Sequence, residues 1–233
     1  MTMVSAYIYL WGKLENPNIM TVLFVDVATG KKLTFDQIRA SGEQFGKGLQ
    51  EQWRWRKGDV LATVSPNTID LVPATFGALR VGGVICPLSF LYTVDELVSQ
   101  LKSSKAKGLI TNVACLQVVR EAASKVGLPL ERILVVGDAD PRNAIPHFTS
   151  LRCSTKTVEK VAINPKEDLA YLVYSSGTTG LPKGVMLTHS NIIANSTQLA
   201  AAEGPDITHW RKDRSLGFLP MYHIYGTSGH LVS

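Results

Sequence analysis

The sequence predicts an α/β fold in which helices cover a largely parallel sheet. Short apolar runs alternate with longer segments of helical periodicity between residues 60 and 136, and this order is typical of parallel strands joined by helical crossovers. Residues 169–174 are apolar or aromatic at every position, the pattern of a strand buried on both faces. Of the 233 residues, 45% are hydrophobic, which is enough for a substantial core.

The N-terminal part has the signals of a hairpin followed by a helix. Residues 22–27 and 32–33 flank a turn at residues 29–30, which predicts a small hairpin. Thr34 and Gln37 have the spacing of a capping box, so a helix is expected to begin there. The apolar residues expected on its buried face are Ile38, Phe45 and Leu49.

Alternating strands and helices are expected next. The predicted strands are residues 60–64, 84–87, 108–111 and 133–136. The predicted helices are residues 69–81, a segment capped by Thr93 and Glu96 with Leu97 and Leu101 inward, and residues 116–126. The stretch 138–165 is polar and lacks clear periodicity, which predicts a long surface connection.

A polar loop follows the buried strand at residues 169–174, and residues 184–188 are expected to form a second short strand. The residues between them that can contact a ligand are Ser175, Ser176, Gly177, Thr178, Thr179, Gly180 and Lys183. Glycines let backbone N–H groups approach a ligand closely, hydroxyls add neutral donors, and Lys183 adds a mobile positive charge. This combination suits a polyphosphate.

Two other interpretations of this loop were weighed. A flexible hairpin loop of the same composition would need no ligand, but the expected strands on both sides and the lysine at the far end disfavour it. A Walker A loop places its lysine directly before a helix, as G-x-x-x-x-G-K-[ST]. Here the order is Gly177-x-x-Gly180-x-x-Lys183 with a strand after it, so the spacing excludes that motif.

The stretch from Tyr174 to Gly184 closely resembles the phosphate-binding signature of the adenylate-forming enzymes, which include acyl-CoA synthetases and 4-coumarate–CoA ligases. The resemblance implies that the loop residues named above bind the phosphates of ATP and that Lys183 is catalytic. It also implies Mg²⁺, a small aryl or fatty carboxylic acid, and coenzyme A as the acceptor of the acyl group. The runs at residues 67–70, 82–84 and 103–107 are similar to aryl- and acyl-CoA ligases.

A second motif follows at residues 219–226. Ser190 is expected to cap a helix carrying Ile192, Ile193 and Leu199, and residues 215–219 are expected to be a buried strand. A single histidine among aromatic residues is more often a core residue than a functional one.

The stretch nevertheless resembles the Pro-x-x-His-x-x-Gly motif of CoA ligases. The resemblance makes His223 a catalytic residue that contacts the acyl carboxylate, and it places Tyr225 and Gly226 at the acid-binding site. Gly229 stands where coumarate ligases often carry a pocket serine, which puts a hydroxycinnamate substrate in doubt.

Composition limits the remaining function classes. The net charge of +5 is spread along the chain without a basic block, so a nucleic-acid partner is not expected. Cys86, Cys115 and Cys153 are dispersed, which fits neither a disulfide framework nor a metal site and favours an intracellular location, cytoplasmic or peroxisomal. The apolar patch at residues 6–11 is too short for a membrane span and unlike a secretory signal.

Several parts implied by the resemblance are not found in these residues, among them a Tyr-Gly-x-Thr-Glu motif and a C-terminal domain with a catalytic lysine. We therefore expect an N-terminal fragment of an acyl- or aryl-CoA ligase that does not complete the reaction alone. Residues 1–213 would be the first α/β sub-domain, with the phosphate loop at 174–184, and residues 214–233 the truncated start of the second. The alternative is a non-catalytic nucleotide-binding or interaction remnant.

Overall fold

A computed structural model describes residues 22–142, 144–153, 161–175, 182–207 and 215–231, without the side chains of residues 200, 203–207 and 228–231. It begins with the predicted antiparallel hairpin, formed by β1 (Val22–Val25) and β2 (Lys32–Thr34). Helix α1 (Phe35–Gln52) follows directly. Its N-cap is the predicted capping box, in which the Thr34 hydroxyl accepts the Gln37 N–H and the Gln37 side chain accepts the Thr34 N–H.

Within the described residues the main sheet has six strands, in the order β6-β5-β3-β4-β7-β8. Its strands are β3 (Val60–Val64), β4 (Val84–Leu88), β5 (Gly108–Asn112), β6 (Ile133–Val136), β7 (Leu169–Ser175) and β8 (Lys183–Thr188). All neighbours pair in parallel except β7 and β8, which form an antiparallel hairpin. The helices are α2 (Leu71–Arg80), α3 (Val94–Ser104), α4 (Leu116–Val126), α5 (His189–Ile207) and α6 (Ile224–Leu231). These findings confirm the predicted α/β class.

Two hydrophobic clusters cover opposite faces of this sheet. Successive residues of a strand point to opposite faces, and in β3 Leu61 belongs to the first cluster and Ala62 to the second. The first cluster also contains residues of α1 and α2, represented by Phe45 and Leu79. The second contains residues of α3 and α4, represented by Leu97 and Val119. Both faces of the central strands are therefore covered, as their apolar sequences require.

The strand order reverses at β3. The chain moves from β3 through α2 to its neighbour β4, and then returns through α3 to β5 on the other side of β3. Since α2 and α4 belong to different clusters, the connections that leave the adjacent strands β3 and β5 pass to opposite faces. Such a reversal opens a crevice at the carboxyl ends of the strands, where open α/β sheets bind ligands.

The stretch 138–165 differs from the predicted surface connection. Ile145, Phe148 and Leu151 are buried, and the last two belong to a 3-10 helix, Phe148–Leu151, that packs against α1. The Val135 N–H also donates to the Pro146 carbonyl oxygen at 3.0 Å, which extends the pairing beyond β6. The three buried residues are spaced by three, the period of a 3-10 helix, and this spacing is easily overlooked among polar neighbours.

The predicted strand at residues 215–219 is also wrong. These residues form no strand, and the side chains of Leu216 and Phe218 are both 72% exposed. Helix α5 begins one residue before the expected cap Ser190, because Thr188 and Asn191 exchange the hydrogen bonds of a capping box instead. Strand β8 exists, but it is more exposed than expected, with Met186 67% exposed.

Gly48 gives a test of the packing between α1 and the 3-10 helix. A Cβ atom at Gly48 would overlap the Leu151 carbonyl oxygen, which is backbone and cannot turn aside. Alanine is preferred to glycine in a helix by about 1 kcal/mol, so Gly48→Ala would stabilise the protein if the site were open. We expect a loss of about 1–3 kcal/mol instead, measured by urea unfolding. A gain in stability would show that the 3-10 helix is not packed there.

Candidate active site

The phosphate-loop residues that the structure describes lie at the open end of the β7–β8 hairpin. Ser175 ends β7 and Lys183 begins β8, and the two residues are paired in register across the hairpin. Both are exposed. Ser176, Gly177, Thr178, Thr179 and Gly180 lie outside the described residues. The described hydroxyl and ammonium groups are thus carried at matching positions by two paired strands.

This end of the hairpin lies on the carboxyl edge of the sheet. Strand β7 pairs in parallel with β4, so Ser175 lies at the same edge of the sheet as the crevice between β3 and β5. Within the described residues Lys183 forms no ion pair, so no carboxylate there neutralises its charge. An exposed lysine and a hydroxyl at a strand's carboxyl end fit the donor set that a polyphosphate requires.

Residues 219–223, which contain the predicted histidine, form a turn that leads into α6. This segment is called the histidine turn. The His223 N–H donates to the Pro220 carbonyl oxygen at 3.1 Å, and the His223 carbonyl oxygen accepts the Thr227 N–H at 3.0 Å. The side chain of His223 is exposed. The alternative interpretation, a buried core histidine, therefore does not hold for this residue.

The contact made by the His223 ring defines what the ring can offer a ligand. Its Nδ1 accepts the backbone N–H of Tyr225 at 3.3 Å, as an N-cap side chain does at the first turn of a helix. With Nδ1 as acceptor, the proton of the neutral ring is on Nε2. The exposed ring therefore presents an Nε2–H donor, which suits a carboxylate or phosphate oxygen.

The structure explains the glycine of the Pro-x-x-His-x-x-Gly motif. Gly226 is packed against Pro220 so closely that a Cβ atom would overlap the Pro220 carbonyl oxygen. Thr227, which the sequence analysis did not single out, is buried and donates from its Oγ1 to the Met221 carbonyl oxygen at 2.6 Å. The motif spacing thus closes a tight turn that holds His223 at its outer side.

A small cavity shows that this turn packs near the face of the sheet that α2 covers. Its volume is about 10 Å³, room for about one water molecule. The cavity is lined by residues of β3, β4, β7, α2 and the turn, among them Thr63, Ile85, Tyr171, Thr75, Met221 and Thr227. The histidine turn and the strand that leads to Ser175 therefore contact one cavity, although they are far apart in sequence.

The aromatic residues of the turn point in different directions. Tyr225, predicted to line the acid site, is 66% exposed. Tyr222 instead meets Phe90, just beyond β4, with ring centroids 5.5 Å apart and an edge-to-face angle of 82°. Neither Phe90 nor Tyr222 was predicted to belong to the site, because nothing local in the sequence links them.

Asn67, in the loop between β3 and α2, joins that loop to the histidine segment. Its side-chain Nδ2 donates to the carbonyl oxygens of Gly217 at 3.2 Å and Leu219 at 2.8 Å, and its Oδ1 accepts the Met221 N–H at 2.8 Å. In the sequence, Asn67 is recognisable only as part of a family-like run. In local terms it is a turn residue after Pro66.

A buried carboxylate lies three residues further along the same loop. Asp70 is 3% exposed, its Oδ1 lies 2.6 Å from the Lys31 ammonium, and its Oδ2 accepts the Gly137 N–H at 3.1 Å. His147 Nε2 lies 3.6 Å from Oδ2. Burial alone would raise the pKa of Asp70, but His147, Lys31 and Gly137 outweigh it and hold the pKa at about 2. This charge pair ties the hairpin to the main sheet.

A family model described as AMP-binding enzyme matches residues 15–233. The chain belongs to this family. It is 32% identical to a 4-coumarate–CoA ligase of Vanilla planifolia over 209 residues, which are 89% of this chain and 37% of that relative. The chain thus spans well under half the length of this relative.

Solved structures agree on the fold. A red-emitting luciferase of Phrixothrix hirtus superposes with a TM-score of 0.83 at 22% identity, over 98% of this chain and 44% of the luciferase. The ATP-bound MatB protein of Rhodopseudomonas palustris superposes with a TM-score of 0.75 at 24% identity, over 98% of this chain and 42% of MatB. Among the helices that the structure describes, none is long and apolar enough to cross a membrane.

Asp70 predicts an acid-sensitive contribution to stability. Its pKa is about 2 in the fold, below the ordinary 3.8, so the stabilisation is complete above about pH 4 and is lost as the pH falls toward 2. The lowering corresponds to about 2 kcal/mol. Asp70→Asn should therefore lose stability at pH 7 and show a flatter decline between pH 4 and 2 in urea unfolding.

The matched control is a carboxylate that is exposed and lies outside the buried ion pair of Asp70. Asp95 is 91% exposed, so Asp95→Asn should keep the acid dependence of the unmodified protein. If Asp70→Asn declines with acid as steeply as the unmodified protein does, the buried pair does not stabilise the fold.

Proposed function

We propose that the chain carries the ATP- and acid-binding part of an acyl- or aryl-CoA ligase. The reaction is attack of a carboxylate on the α-phosphorus of ATP with loss of pyrophosphate, followed by transfer of the acyl group from AMP to the thiol of coenzyme A. The observation that carries the proposal is the shared cavity: the strand leading to Ser175 and the turn holding His223 both line it. Family membership and the coumarate-ligase relatives support the reaction class.

The first step brings two anions together, so the protein must supply positive charge and donors. Lys183 and Ser175 are exposed at paired positions, and we assign them to the β- and γ-phosphates together with Ser176, Gly177, Thr178, Thr179 and Gly180. The ATP-bound MatB structure of the same fold supports ATP as the nucleotide. Mg²⁺, where bound with the nucleotide, would supply positive charge that stabilises the leaving pyrophosphate.

His223 is assigned to the acid substrate. The His223 ring is exposed and its Nδ1 accepts the Tyr225 N–H. Its Nε2–H can therefore donate to a carboxylate oxygen while that hydrogen bond is kept. Tyr225 is exposed beside it and is assigned to the acid-binding surface, and the buried Gly226 is assigned to the same site because it closes the turn that holds the ring. The acid would be aryl or fatty, in an intracellular setting, cytoplasmic or peroxisomal, with no nucleic-acid partner.

A second candidate function is nucleotide binding without catalysis. The chain spans 37% of the length of its 4-coumarate–CoA ligase relative. We therefore propose only that this part of the protein contributes to a ligase reaction. Residues 1–213 would form the first sub-domain and residues 214–233 the start of a second. Exchange of labelled pyrophosphate into ATP, measured with 4-coumarate or a fatty acid and Mg²⁺, separates the two functions. Exchange requires adenylation, whereas ATP binding without exchange supports the non-catalytic candidate.

Lys183 predicts how ATP is held. Lys183→Ala removes a charge-assisted contact, so the affinity for ATP measured by calorimetry should fall roughly tenfold or more. Lys166→Ala is the matched control, because Lys166 is equally exposed but lies in the turn before β7, at the opposite edge of the sheet. Equal affinities for ATP in the unmodified protein and Lys183→Ala would reject the phosphate-site assignment.

His223 predicts a different ligand dependence. His223→Ala should weaken binding of a stable sulfamoyl analogue of 4-coumaroyl adenylate by roughly tenfold, the effect of one lost hydrogen bond to a charged or polar group. The affinity of the His223→Ala protein for ATP should change little, because the phosphates are assigned to the β7–β8 hairpin. A parallel loss for both ligands would instead indicate that the substitution damages the turn.

A further inference from the structure

Within the described part of the chain, residues 215–218, which lead into the histidine turn, pair with no strand. Residues 215–218 are irregular and exposed. The carbonyl oxygens of Gly217 and Leu219 and the N–H of Met221 are instead bound by one side chain, Asn67. Asn67 belongs to the loop that leaves β3 at the strand-order reversal, so these bonds join the turn to the centre of the sheet.

We propose that Asn67 is a positioning residue, which fixes the His223 ring relative to the carboxyl edge of the sheet. This inference rests on the proposed function only for its catalytic consequence. The physical claim concerns Asn67 and the turn, and it can be tested without any ligand.

The contacts form a continuous path from Asn67 to the ring. Asn67 Oδ1 holds the Met221 N–H, and the Met221 carbonyl oxygen in turn accepts the Thr227 hydroxyl. The Thr227 N–H binds the His223 carbonyl oxygen, and the Tyr225 N–H binds His223 Nδ1. Both the position of the turn and the tautomer of the ring therefore depend on a path that begins at Asn67.

Only an asparagine amide suits this set of partners. The position requires an N–H₂ group facing two carbonyl oxygens and an oxygen facing one N–H, at the length of a two-carbon side chain. Alanine would remove all of these bonds. An ionised aspartate would keep the acceptor but would place a carboxylate oxygen against two carbonyl oxygens, which repel it.

The first test is hydrogen exchange on the full 233-residue chain, read by mass spectrometry. In Asn67→Ala, the amides of Met221, His223 and Thr227 should exchange roughly tenfold faster. Asn112→Ala is the matched control. Asn112 lies at the same edge and makes comparable side-chain bonds, with Val136 and Ala114, but none with the histidine turn. It should leave exchange in the turn unchanged.

The second test reads the ring itself. Nitrogen chemical shifts of labelled His223 should report a single tautomer with the proton on Nε2 in the unmodified protein, and a mixture of tautomers in Asn67→Ala. In Asn67→Asp the mixture should also be present at neutral pH, because the ionised carboxylate keeps the acceptor for the Met221 N–H but loses both donors. A purely structural role would not change the tautomer of an exposed ring.

The outcomes separate this inference from the proposed function. Unchanged turn exchange and unchanged ring shifts in Asn67→Ala would overturn the positioning role even if ATP binds normally. Faster exchange and mixed tautomers, in a protein that binds neither ATP nor the adenylate analogue, would support the positioning role and reject the proposed function. If the positioning role and the proposed function both hold, Asn67→Ala should weaken binding of the adenylate analogue and leave the affinity for ATP unchanged.

Discussion

The pairing of β3 on both edges is the constraint on which the rest of the fold depends. Its backbone groups bond to β4 on one side and β5 on the other, while Leu61 and Ala62 pack into clusters on opposite faces. A strand enclosed in this way contacts other elements along its whole length and is open only at its ends. Because the chain runs from β3 first to one neighbour and later to the other, the connections diverge and a crevice remains at the carboxyl edge.

Side chains satisfy the backbone at that edge, where the strand ladder stops. The Thr111 hydroxyl donates to the Val64 carbonyl oxygen, Asp70 accepts the Gly137 N–H, and Asn67 binds three backbone groups of the histidine segment. Each bond joins segments that belong to different strands or to the loops after them, and buried backbone groups require such partners. These bonds link the elements at the carboxyl edge, while Ser175, Lys183 and His223 remain exposed.

The parts that the sequence predicted well are those specified within a few residues. The capping boxes at Thr34 and Thr93 require only a partner three residues away, and the structure contains both. The buried strands are apolar because two layers of helices cover them, a requirement visible in each strand alone. The phosphate loop is predicted from contiguous residues and its binding role stays a prediction; its two described ends, Ser175 and Lys183, are paired across the β7–β8 hairpin.

The errors and omissions share one physical cause, which is dependence on distant partners. Residues 215–219 contain enough apolar side chains for a strand, but a strand also requires a free neighbouring edge, and this stretch is bound by Asn67 about 150 residues earlier. The aromatic neighbours of His223 do not show that its ring is exposed, because the turn that carries the ring is bound by the distant Asn67. A histidine surrounded by aromatic residues is therefore ambiguous in sequence and becomes interpretable only through the contacts that orient it. In this protein those contacts begin at Asn67, in the loop that leaves β3 at the strand-order reversal. The topology that opens the crevice therefore also positions the histidine turn.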